Sequence, residues 1–79
     1  MIKVLFFGPI ADRVGATMVQ AEFKEGMRLQ DLLAQMQALY PAAFEIVCFT
    51  AVNGAHTRDM QLLLADNSEV VFMSKFSGG

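Results

Sequence analysis

The chain has 79 residues, 54% hydrophobic and 18% charged, with a formal net charge of −2. That length fits one small domain, and so apolar a composition excludes a disordered chain. The basic residues Lys3, Arg13, Lys24, Arg28, Arg58 and Lys75 are scattered, so no stripe neutralises a row of phosphates and no nucleic-acid partner is expected.

Ile2 to Phe7 is rich in β-branched and aromatic residues and stops at Gly8-Pro9, which predicts a buried strand ended by a turn. Its apolar run from Val4 is too short for a signal peptide or a membrane span, so a cytoplasmic location and no membrane partner are expected. Ile10 to Gly15 reads as an irregular stretch with room for one helical turn. Thr17 to Phe23 alternates Met18, Gln20 and Glu22 against Val19, Ala21 and Phe23, the pattern of a strand with one wet face. Its short connection to the first strand suggests a hairpin.

Leu29, Leu32, Leu33, Met36 and Tyr40 recur at the spacing of one helix face, and Pro41 closes that helix. Ile46 to Val52 predicts a third strand, with Asn53-Gly54 as a turn behind it. Arg58 to Ala65 is open between a helical turn and a short strand. Asp66-Asn67-Ser68 is a further turn, and Glu69 to Met73 a last strand. The order is β, β, α, β, a short element, β. It predicts an α+β fold, a mixed sheet of four to five strands with one main helix packed across it.

Few residues point to catalysis. His56 is the only histidine and reads as a plain exposed side chain, since a general base needs an orienting partner. Cys48, the only cysteine, lies in an apolar strand and reads as inert packing; it rules out an internal disulfide, and with one histidine it cannot make a structural zinc site. No metal is expected. What remains is the end, Ser77-Gly78-Gly79. It reads either as a frayed tail or as a functional one. Glycine has no Cβ, so Gly78-Gly79 is the thinnest peptide available to a narrow channel. Extended, Ser74 to Gly79 reaches roughly 20 Å. The Gly79 carboxylate is inert until acyl-adenylation makes it an electrophile, which a sulfur nucleophile converts to a thiocarboxylate.

Several stretches, in order, resemble the small subunit of molybdopterin synthase, a ubiquitin-like sulfur carrier of molybdenum-cofactor biosynthesis. They are Ile2 to Gly8 with Arg13-Val14-Gly15, Gly26 with the helix Leu29 to Leu39, Ala51-Val52-Asn53-Gly54, Asp66 to Met73, and Phe76 to Gly79. The resemblance implies a β-grasp domain over 1–74 and a flexible Gly-Gly tail over 75–79. It implies a non-catalytic sulfur-donor subunit of a sulfurtransferase complex, a heterotetramer in which the large subunit carries the catalytic residues. Gly79 is the residue charged, Gly78 and Ser77 thread the partner, and Phe76, Lys75 and Met73 form the partner interface. Phe7 is a further candidate for that interface, whereas Phe6 and Phe72 read as core. No bound cofactor is expected; ATP is used by an activating partner, a ubiquitin-activating-enzyme-like adenylyltransferase, and a sulfur-donor protein completes the set. The acceptor is a cyclic pyranopterin precursor. Carriers for thiamine or tRNA thiolation, or a ubiquitin-like modifier or interaction domain, are the alternatives.

Three positions depart from the family pattern. Ser74-Lys75 stands where a Pro-Pro pair is common, which loosens the tail's exit. Asp66-Asn67-Ser68 replaces Asp-Gly-Asp, a change that asparagine tolerates because it accepts positive φ. Arg28 stands where a Thr or Ser N-cap is usual, an expected loss of about 1 kcal/mol, partly recovered by Asp31 against the helix dipole.

Overall fold

A computed structural model of the chain describes residues 1–74, apart from the side chain of Cys48. The elements are β1 (Ile2–Phe6), α1 (Pro9–Val14), β2 (Met18–Ala21), α2 (Leu29–Leu39), α3 (Pro41–Phe44), β3 (Val47–Val52), β4 (Ala55–Thr57) and β5 (Glu69–Ser74). The strands form one mixed sheet in the order β2-β1-β5-β3-β4. β1 runs parallel to β5, while the β1–β2, β3–β5 and β3–β4 pairs are antiparallel. The predicted α+β sheet with one main helix is the fold observed.

The strands β1 and β5 occupy the centre because alternate positions on both are large and apolar. Ile2, Val4, Phe6, Val70 and Phe72 are fully buried beneath α2, whose Leu29, Leu32 and Met36 supply the opposing surface. Phe6 stacks on Phe72 at 6.4 Å and meets Tyr40 and Phe44 edge-on at 6.1 Å each. Phe44 closes the cluster on Phe72 at 5.0 Å. Each fully buried side chain of this size contributes roughly 1.5–3 kcal/mol, so these rings tie β1, β5 and the α2–α3 junction into one unit.

Three elements differ from expectation. The stretch after Gly8 is a full α-helix, α1, opened by Pro9 at its first position, where a missing N–H costs nothing. Pro41 ends α2, as predicted, and also starts α3. Asn53 and Gly54 both have positive φ, 50° and 86°, which fits a tight hairpin turn, and the strand it leads into, β4, was absent from the expected order. Asn67 also has positive φ, 67°, so the altered turn before β5 survives as anticipated.

The Arg58 to Ala65 segment is neither a helical turn nor a regular strand; Leu63 makes only an isolated bridge with Arg28. It works as a cap. A guanidinium has no acceptor lone pair, so Arg28 cannot cap α2 through its side chain. Leu29 N–H instead donates to Leu62 O and Gln30 N–H to Met60 O, both at 2.9 Å. Asp31 Oδ2 accepts from Arg28 N–H at 2.8 Å, and Arg28 Nη1 donates to Gln61 O at 2.6 Å. The first-turn donors that a helix leaves orphaned thus find partners in a neighbouring loop, and the expected capping loss is offset.

Candidate functional site

The helices cover one face of the sheet. The other face can be read from the register. Leu5 lies between Met18 and Val71, Val71 lies beside Ala51, and Ala51 lies beside His56. Met73 lies opposite Phe49, and Phe7 follows β1 with the opposite facing to Phe6. Leu5, Phe7, Met18, Phe49, Ala51, Val71 and Met73 all fall outside the helix-side core. They form a continuous apolar surface on a face that no helix covers.

This surface is graded along the strands. At the end where β5 finishes, Phe7, Met18 and Phe49 are 53%, 45% and 39% exposed. At the other end the pairs are polar: Lys3 lies beside Glu69 on one side and Gln20 on the other. Isolated exposed hydrophobic residues are ordinary, but three large ones gathered on one open sheet face mark an interaction surface. The last described strand runs straight into that end. β5 is the central strand of the five, hydrogen-bonded to β1 on one side and β3 on the other.

A β-bulge aims Phe49. Val47 pairs with Ser74 and Phe49 with Met73, so two steps along β3 match one along β5. In a regular strand Val47 and Phe49 would face the same way. The extra residue, Cys48, reverses the parity, leaving Val47 against the core and Phe49 on the open face. The packing expected of the Cys48 side chain lies outside the described residues.

Of the residues expected to form the site, Met73 is half-buried on this face. Lys75, Phe76, Ser77, Gly78 and Gly79 lie outside the described residues. Phe7 is exposed, and Phe6 and Phe72 are fully buried core. The sequence reading missed Leu5, Met18, Phe49 and Val71. The signal was available only in part. Alternation places Leu5 opposite Val4, but nothing in the sequence says which face stays uncovered.

Chemically the described residues offer binding and little else. His56 is exposed, with its ring 6.5 Å from Phe49 in an edge-on contact, and among the described residues no carboxylate orients it. Among the described residues no group of three His, Cys, Asp or Glu converges. Asp66 lies at the polar end, in the turn before β5. Its carboxyl is held below the ordinary value chiefly by the hydrogen bond from the Met1 ammonium at 2.6 Å, with desolvation opposing and the charge of that ammonium and the Asn67 N–H assisting.

A five-stranded mixed sheet in this order, with α2 across one face, is a ubiquitin-like β-grasp domain. The molybdopterin converting factor subunit 1 of Pyrococcus furiosus shares the fold, with a TM-score of 0.83 at 23% identity over 92% of this chain and 94% of that one. A chain of the Helicobacter pylori complex of molybdopterin-converting factor subunits 1 and 2 shares it with a TM-score of 0.68 at 24% identity, over 99% and 97%. Sequence similarity goes further. Residues 4–79 match the ThiS family. The molybdopterin synthase sulfur carrier subunit of Chlamydomonas reinhardtii is 33% identical over 81 residues, covering 99% of this chain and 98% of its own length. The chain belongs to the ThiS family, as a relative of the molybdopterin synthase sulfur-carrier subunits.

Proposed function

We propose that the chain is the sulfur-carrier subunit of a molybdopterin synthase and that its working group is the carboxylate of Gly79. One observation carries this reading. Similarity to a sulfur-carrier subunit extends over 99% of the chain, and the family match runs through residue 79. The open apolar face adds support, because it supplies the docking surface that a carrier needs and a free-standing enzyme does not.

In this reading an adenylyltransferase partner lets a Gly79 carboxylate oxygen attack the α-phosphorus of ATP, expelling pyrophosphate. The terminal sulfur of a donor persulfide then attacks the acyl carbon and displaces AMP. A thiol cleaves the resulting acyl disulfide, which frees the thiocarboxylate and leaves a disulfide behind. The charged end enters the large subunit and gives its sulfur to a cyclic pyranopterin precursor, with water restoring the carboxylate. The carrier contributes position, not catalysis. Phe7, Phe49 and Met73 dock, and Gly78-Gly79, lacking side chains, pass where bulkier residues would not. Two sulfurs make a dithiolene, so docking must be reversible, which suits a modest apolar patch within a polar rim.

Intact-mass measurement of the full chain after incubation with the activating enzyme, ATP and a sulfur donor tests the proposal. A gain equal to exchanging one oxygen for sulfur is expected, and deletion of Gly79 should abolish it without changing the fold. No gain, or isopeptide-linked adducts in its place, would overturn the reading.

A further inference from the structure

A groove of about 290 Å3 lies on the β3–β4 edge, lined by Phe49, Thr50, His56, Thr57 and Arg58. One wall, Phe49, belongs to the open apolar face, so the groove is the flank of that face. Among the described residues no carboxylate lines it. The nearest in sequence, Asp59, is turned back on its own loop, where its Oδ1 accepts from Gln61 N–H at 3.0 Å. Thr57 Oγ1 holds the same bend by accepting from Asp59 N–H at 3.0 Å.

Arg58 differs from the other two arginines. Arg13 donates to Ala42 O at 2.8 Å and lies 3.9 Å from Glu45. Arg28 donates to Gln61 O. Among the described residues, the Arg58 guanidinium has no hydrogen-bond or ion-pair partner. It presents five donors in a planar fork that matches a carboxylate, beside two threonines and an exposed histidine.

We propose that this groove receives an aspartate or glutamate side chain of the docked large subunit, and that Arg58 thereby selects partners whose apolar docking patch has an acidic rim on this side. The inference rests on the docking role given to the open face above and adds the charge that the partner must carry. Phe49 seats the apolar contact and Arg58 pairs with the adjacent carboxylate, beside the exposed His56. At a solvent-accessible rim such a pair acts mainly on association rate and on discrimination between partners, and both weaken with salt.

The test is calorimetric titration of the purified large subunit with the full chain and with the Arg58→Glu and Arg58→Gln variants. Lys24→Glu, a charge-matched change beyond the far end of β2, serves as control. Arg58 is exposed, and circular dichroism should show all variants folded. At low ionic strength Arg58→Glu is expected to weaken binding by about tenfold or more, with Arg58→Gln intermediate and Lys24→Glu unchanged. In 1 M salt, where the screening length falls to about 3 Å, the gap should nearly close. Equal binding by the unmodified chain and Arg58→Glu at low salt, or equal loss with Lys24→Glu, overturns the role of the groove alone. Absence of binding by the unmodified chain overturns the docking reading and the groove with it.

Discussion

Phe6 and Phe7 are adjacent in sequence and have opposite fates. Phe6 is fully buried, whereas Phe7 is 53% exposed. The same division runs through β5, where Phe72 is core and Met73 lies half-buried on the open face. Both faces of this sheet are apolar, but only one is used to hold the fold together. In a domain this small, leaving apolar surface uncovered gives up part of a stability that is modest to begin with. That surface therefore asks for a partner as its explanation.

The sharpest way to break this comparison is to truncate the two phenylalanines separately. Phe6→Ala removes a ring packed against Phe72, Phe44 and Tyr40 and should cost about 3–5 kcal/mol. That is a large part of the stability of a small domain, so a chemical-denaturation midpoint should fall steeply or the chain should fail to fold. Phe7→Ala should change stability by only about 0.5 kcal/mol while weakening capture by the large subunit. If Phe7→Ala destabilised the chain as much as Phe6→Ala, the open face would belong to the core and the comparison would fail.

The helix-covered face was the more legible of the two in the sequence. The spacing of Leu29, Leu32 and Met36 gave α2, and the β-branched and aromatic runs gave β1 and β5. Features that depend on neighbours were not legible. β4 is three residues long, too short to show a period. α3 was hidden because Pro41 reads as a stop and equally serves as a first helical position. The facing of Phe49 depends on a bulge that appears only when β3 is laid against β5. The cap on α2 comes from a loop about thirty residues away, and no local rule pairs Leu29 with Leu62. Residue type alone left the Gly78-Gly79 end open between a frayed and a functional tail, and it was the family resemblance that favoured the second; that end lies outside the described residues.

A smaller effect tests how the covered face is held. Asp31 is the one first-turn side chain that accepts a backbone donor at the start of α2, from Arg28 N–H at 2.8 Å. Asp31→Ala should lower stability by about 1 kcal/mol, read from the denaturation midpoint, and leave docking unchanged because Asp31 lies on the helix side. Loss of docking without loss of stability would place part of the interface on the helices and undo the division between faces.

The smallest expected effect lies at the polar end of the sheet, away from the exposed phenylalanines. Asp66 accepts a hydrogen bond from the Met1 ammonium, and its folded-state value is lowered from the ordinary 3.8. A carboxylate with a depressed folded value adds stability that is fully present above the unfolded value and is lost as pH falls through the folded one. Asp66→Asn keeps an acceptor and removes the charge. The chain should therefore exceed this variant in stability at neutral pH by a small margin that fades below about pH 4, near the reference value for aspartate. Salt should shrink the margin too, since both groups are exposed and exposed pairs are weak and screened. Denaturation midpoints measured across that pH range decide the matter. A difference that stayed constant with pH would show that the carboxylate's charge does not support the turn, and that the polar end is held by the Asn67 turn geometry and the β1–β5 ladder alone.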